Sequence, residues 1–359
     1  KDAQADSLQE LTDYLDGFKR QVRSARSHVT TTSFQAFDEP SEERPVLINA
    51  PENVQVQFER DHFGKTKAIT RSGSGVSVTR RYVYDAHERL CKTIEPEVGA
   101  TVQQYDAAGN LAWRAPGLNL PGTGSCDHLG VAETSKIAHG YDPRNRLKNT
   151  NYGDGSASVS RTYFDDGLLK TLSTGNPSSP ASVWTYDYNA RRLLKSEALT
   201  TGGQTYSFTR GYNNLGNPIS LTNPSGPNLS YSPNALGEVT GISGFVSGVT
   251  YHPTGAVAGY QLANGITHSL TLNTRGLPLV NKDAGVMQDL YSYDANGNVT
   301  AIADQQENIF NRSMGYDGLD RLTSANSPST WGNATYAYDA VDNMRAAVVG
   351  SRATTFVYN

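Results

Sequence analysis

Cysteine is almost absent from this sequence: Cys91 and Cys126 are the only two in 359 residues. Two cysteines do not make a disulfide framework, and outside such frameworks functional pairs are rare, so both are read as unpaired thiols. Long apolar runs are missing as well, which leaves no membrane span in this segment. No charged n-region, apolar h-region and cleavage pattern opens the chain, although residue 1 is Lys rather than Met and the lack of a leader therefore excludes nothing. Charge of one sign is scarce: a net −4 gives no reason to expect nucleic acid as a partner. The sequence contains no G-x-S-x-G, H-E-x-x-H, P-loop or G-x-G-x-x-G motif. The expectation is a protein that is not an enzyme and takes no cofactor.

What is present is Tyr, at 20 residues against 10 Phe, and a combined 50 Gly and Pro in a chain only 37% apolar. That composition suits a thin, turn-rich sheet, because Tyr buries its ring while its hydroxyl stays polar. One stretch organises the rest. Tyr293-Asp294-Ala295-Asn296-Gly297-Asn298-Val299 sets a frame of aromatic, Asp, two free positions, Gly, a polar residue and an apolar one, found fifteen times between Leu15 and Met344. Asp or Asn fills the second position in thirteen copies, Phe164 and His252 being the exceptions. The Gly position holds Gly64, Gly109, Gly167, Gly216, Gly237, Gly255, Gly276, Gly297, Asn145, Asp320 or Asp342 in eleven copies.

The frame spells a turn. Asp opens a type I turn by accepting a bond from the backbone N–H two residues on, and a residue tolerant of positive φ closes it. The product is a three-residue hairpin loop. The turn formers are thus Asp85, Asp106, Gly109, Asp142, Tyr293, Asp294, Gly297, Asp317 and Asp339. Flanking segments at 79–84, 182–188, 203–212, 248–251, 265–272 and 334–338 are rich in Tyr, Val, Thr and Phe and read as strands.

The fold class is therefore all-β: a hairpin solenoid over 13–359 in about fifteen units, cut mid-unit at Tyr358-Asn359 and so expected to be part of a longer protein. Leu8, Leu11, Leu15, Phe18 and Val22 recur at helical spacing. The competing frame Leu15-Asp16-Gly17-Phe18 is preferred, which leaves 1–12 as a helical turn or frayed lead-in. The interval from Tyr105 to Tyr141 is 36 residues, against 18 to 25 for most others, and reads as a surface insertion near 112–140. A lone hairpin is marginal in water, so units must join edge to edge. At ~4.8 Å per strand, fifteen units span roughly 145 Å, or a ring of about 45 Å diameter.

Copies such as Tyr316-Asp317-Gly318-Leu319-Asp320-Arg321-Leu322 and Tyr105-Asp106-Ala107-Ala108-Gly109-Asn110-Leu111 resemble the YD repeats of the Rhs family, and the resemblance covers nearly the whole chain from about residue 13. It implies a large curled sheet forming part of a hollow, cocoon-like shell around a polypeptide. In bacterial polymorphic toxins and Tc-toxin C components the enclosed cargo is a C-terminal toxin domain. Other implied partners are further parts of the same shell and a secretion-system delivery protein, and the implied location is secreted or delivered from a bacterial cell. In teneurins a comparable shell belongs to an adhesion receptor, so the alternative is a cell-surface adhesion or carbohydrate-binding module. This sequence departs from the toxins in one respect: its only Asp-Pro, Asp142-Pro143, sits in an ordinary turn without a Gly-rich continuation. Neither a closing segment nor a toxin domain is recognisable.

Two groups of residues invite a chemical reading. The recurrent Asp residues are better explained by turn capping than by catalysis. Cys126, His128, Glu133 and His139 lie within 14 residues and are all zinc-ligand types. Their spacing matches no standard pattern, so a solvated loop with incidental ligand types is preferred to a metal site.

Overall fold

In a computed structural model the described residues are 9–37, 40–176 and 179–358. Over these residues the chain is all-β, with 31 described strands from β1 (Leu11–Leu15) to β31 (Arg352–Thr355) in one sheet. Every strand pairs antiparallel with the one before it and the one after it, giving an unbroken meander. Such a ribbon has two rims. The frame turns join odd strands to the even strands that follow and lie along one rim; the remaining loops line the other. Of the six segments read as strands from sequence, four fall wholly within strands, while 203–212 and 265–272 begin one and two residues early, Gly203 and Gly265-Ile266 belonging to the turns before Gln204–Tyr212 and Thr267–Leu272.

At the N-terminus Leu11 and Thr12 already pair with Arg23 and Val22, so the array starts inside the stretch assigned to a lead-in. Helical spacing misleads there because Leu11 and Leu15 also share one face of a strand. Residues 1–8 lie outside the described residues.

The ribbon closes into a coil. The loop holding Arg26, on the second rim, touches the frame turn at Asp317–Asp320, with 25 strands between them. At ~4.8 Å per strand that circuit is about 40 Å across. The array is therefore not a single ring of all its strands: it overlaps itself, and its last turns sit on the rim loops of its beginning.

Little of the chain is deeply buried. Among the described residues twelve hydrophobic side chains are buried, and one cluster, Val102, Ala115 and Val131 with Trp113, Leu118 and Leu120 around it, lies where residues 119–136 fold back over the sheet. The insertion is shorter than read from sequence, because 112–118 belong to β10 (Leu111–Leu118) and 137–140 to the next strand (Ile137–Tyr141). It is also packed rather than free: Val131 is 6% exposed.

Candidate functional site

The frame turns are built alike. Asp294 N–H donates to the Asn298 carbonyl at 2.9 Å, and Gly297 N–H to the Asp294 carbonyl at 3.1 Å. The Asp294 carboxylate takes Asn298 N–H on Oδ1 at 2.9 Å and the Asn298 amide on Oδ2 at 3.0 Å. All eleven residues named at the Gly position have positive φ, from 58° at Asn145 to 95° at Gly297. A register shift follows each of these turns, as between Ser292 and Tyr293, which is the bulge that a left-handed closing residue produces. Replacing Gly297 by Val forces a β-branched residue to that φ and is expected to cost ~1–3 kcal/mol locally. Hydrogen exchange across 291–302 measures it; unchanged protection would contradict the turn geometry.

Asp85, Asp106, Asp142, Asp317 and Asp339 repeat the pattern. Each accepts the N–H four residues on, at 2.9, 2.8, 3.0, 2.9 and 2.9 Å. Arg89, Asn110, Arg146, Arg321 or Asn343 at that fourth position then reaches back to the other carboxylate oxygen. The Asn110 amide, above all, holds the Asp106 carboxyl below the usual carboxylate range. At Asp85 burial pushes the other way but is outweighed by the N–H and guanidinium of Arg89. A carboxylate with a depressed folded pKa contributes stability that is present above its ordinary value of 3.8 and is lost as pH falls through the folded value. The urea midpoint is therefore expected to hold steady from neutral to about pH 5 and to fall below about pH 4. A midpoint that rose on acidification would reject charged carboxylates in the native turns.

Tyr ties unit to unit. The hydroxyls of Tyr84, Tyr105, Tyr141, Tyr163, Tyr212, Tyr251, Tyr293 and Tyr316 each donate to a backbone carbonyl 12 to 30 residues earlier, at 2.7 to 3.1 Å. Arginine adds a second tie along the rim. Arg89, Arg146 and Arg321, already bound to their own Asp, lie over the rings of Tyr105, Tyr163 and Tyr338 at 4.7, 4.5 and 5.0 Å. Each also donates to the carbonyl that opens the next turn, at Asp106, Phe164 and Asp339.

Where the coil meets itself, the ties run between successive circuits. Arg26 donates to the Tyr316 and Asp317 carbonyls at 2.9 and 2.8 Å, pairs with Asp320 at 2.7 Å and lies 3.3 Å from Asp294. Gly318 N–H donates to Glu52 at 2.8 Å. Arg71 donates to the Ala340 carbonyl at 2.8 Å and grips both oxygens of Asp342 at 2.6 and 2.8 Å.

The insertion is held by chemistry that the sequence reading missed. Cys91 and Cys126 form a disulfide with Cα atoms 5.5 Å apart, which overturns the reading of two unpaired thiols. They are 35 residues apart in sequence, and only the folding of 119–136 back over β8 (Leu90–Glu95) brings them together. Beside the bond, Lys92 is fully buried, with Nζ 2.5 Å from Asp127 and 2.6 Å from the Gly122 carbonyl.

The four zinc-ligand types are not gathered. Cys126 is in the disulfide, His128 Nε2 lies 3.0 Å from the Gln103 carbonyl, and Glu133 pairs with Lys136 at 2.5 Å. His139 sits on the next strand, its Nδ1 buried without a partner and its pKa pushed down by burial and then by Arg114 and Arg161. Among the described residues no group of three or more His, Cys, Asp or Glu could hold a metal ion. No helix among them is long and apolar enough to cross a membrane.

Known proteins place this architecture. Residues 293–330 match the family model RHS Repeat. The crystal structure of TcdB2-TccC3 is similar in fold over 93% of this chain, with a TM-score of 0.61 at 13% identity. Residues 293–330 are thus similar to an Rhs repeat, and the array they belong to shares its fold with these Tc-toxin structures. The fold is as close to TcdB2-TccC3 without its hypervariable C-terminal region, at a TM-score of 0.60, 13% identity and 93% of the chain. The Tc holotoxin pore of Photorhabdus luminescens gives 0.54 at 12% identity over 96% of the chain. The chain spans about a fifth to a quarter of the length of the chains it matches, covering 21%, 21% and 26% of them. No curated protein matches it in sequence.

Proposed function

We propose that this chain is a wall segment of an encapsulating shell, which keeps a C-terminal toxin or other cargo polypeptide apart until delivery from a bacterial cell. The observation that carries this reading is the seam at Arg26, Glu52 and Arg71. A ribbon that docks on its own earlier circuit encloses space, and a circuit about 40 Å across by strand spacing leaves room for a polypeptide. The fold likeness persists when the hypervariable region of TcdB2-TccC3 is absent, which supports wall rather than cargo. In this reading the wall is not an enzyme: its Asp carboxylates are occupied by turn N–H groups, and the chemistry belongs to what is enclosed. The adhesion alternative loses support because eight Tyr hydroxyls that would otherwise meet a glycan are bonded to neighbouring carbonyls.

The test is limited proteolysis of the protein at its natural length from its own host. A fragment protected until the repeat wall is cut supports enclosure. A C-terminal portion digested as fast with the wall intact as without it rejects enclosure.

A further inference from the structure

The residue at the left-handed position of the frame turns is not always Gly. Thirteen turns have a positive φ there, and five of these carry another residue: Glu88, Asn145, Arg192, Asp320 and Asp342. A non-Gly residue in that region is strained and persists where surrounding contacts fix it. In three of the five the contact runs sideways to the neighbouring turn of the same circuit. Glu88 pairs with Lys65, Asn145 accepts from Asn110, and Arg192 pairs with Asp166.

Asp320 and Asp342 differ. They are the two aspartates among the thirteen, and both reach across the seam, Asp320 to Arg26 at 2.7 Å and Asp342 to Arg71 at 2.6 Å. Arg26 and Arg71 lie 294 and 271 residues earlier and also bind carbonyls of the same turns. Sideways contacts brace each carboxylate: Asn296 and Asn298 donate to Asp320, and Arg321 to Asp342. The residue after the opening Asp in these two turns is small and buried, Gly318 and Ala340. A Cβ on Gly318 would lie 2.8 Å from Pro51 and 2.9 Å from Glu52.

We propose that aspartate at the left-handed position is a register mark: by taking Arg26 or Arg71 it fixes where along the second rim of the preceding circuit each of these two turns docks. The partner surface is the second rim, and what that rim recognises is a turn with a small residue after its opening Asp and a carboxylate at its left-handed position. Turns bearing Gly there offer the rim no anion at that position: the Gly297 turn meets the same loop only through Asn296, which accepts the Arg26 N–H at 3.0 Å, and Asp294, 3.3 Å from Arg26, and Glu88 and Arg192 are already paired with their neighbours. The assignment stands whatever the coil encloses.

The test separates docking from turn formation, because the two respond with opposite sign. Gly suits a positive φ better than Asp does, so replacing Asp320 and Asp342 by Gly leaves the hairpins intact while removing the mark. Spin labels on cysteines introduced at exposed Ser77 and Arg352, with the native disulfide retained, report the seam as a distance distribution. The parent is expected to give one narrow distance. The Asp320→Gly/Asp342→Gly variant is expected to broaden it with circular dichroism unchanged. Asp342→Arg alone is expected to broaden it too, Arg being tolerated at this position in Arg192, and adding Arg71→Glu to narrow it again. A narrow distance retained in the double Gly variant would overturn the proposal, as would a failure of Arg71→Glu to restore it.

Discussion

Removing the Cys91–Cys126 bond, by Cys91→Ser or with a thiol reductant, is expected to lower stability by about 3–4 kcal/mol. The bond closes a 35-residue stretch, and chain entropy for a loop of that length gives roughly that value. In a linear array stability is a sum of unit and neighbour terms, so the loss should be local. Hydrogen exchange should rise for amides in 119–136 and in β9 (Gly99–Tyr105), where Val102 is sealed, and stay unchanged in strands 204–212 and 267–272, far along the ribbon. Uniform acceleration along the chain would show instead that the array unfolds as one unit. An unchanged urea midpoint together with unchanged local exchange would show that packing alone holds the insertion.

Most of the ribbon is legible in the sequence, for a physical reason. The frame fixes local geometry, and local geometry needs only neighbours: Asp294, Gly297 and Asn298 can be assigned from their order alone. Even the positions where Gly gives way to Asn or Asp are recoverable, since those residues enter the left-handed region most readily. What escapes is everything set by distance along the chain. Tyr316 announces a strand end, but its hydroxyl partner, the Val299 carbonyl, depends on how its hairpin leans on the preceding one. Arg26 looks like a solvated cation until the coil has gone round 25 strands and brought Asp320 to it. Asp320 and Asp342 do leave a signal, a carboxylate where Gly is cheaper, yet it reads as ordinary turn variation without the partner. The disulfide left less, because two cysteines in different segments match no framework and the fold-back of the insertion follows from Val131 and Trp113 packing rather than from any motif.

Replacing Lys92 by Met is expected to cost about 3 kcal/mol, near the lower end of what breaking a buried ion pair costs. The lower end applies because Asp127 keeps 28% of its side chain exposed and recovers some hydration, while Lys92 itself has none. The loss arises from what remains: the Asp127 carboxylate and the Gly122 carbonyl lose a donor that a thioether cannot replace. The carboxyl reports it directly. Lys92, the largest influence on Asp127, holds its pKa below the usual 3.8, so in Lys92→Met that pKa should move up, followed by NMR titration. Adding Asp127→Asn should recover part of the stability, since the stranded charge is gone. Lys92 and the disulfide pin the same segment to adjacent residues of β8, so their losses should not add. Once Cys91→Ser lets the insertion lift, Lys92 can reach water, and its replacement should then cost at least ~1 kcal/mol less than in the intact protein. Strict additivity in that cycle would mean that the insertion stays docked without its covalent tie, and the packing of Val131 against Val102 and Ala115 would then be the stronger of the two fastenings.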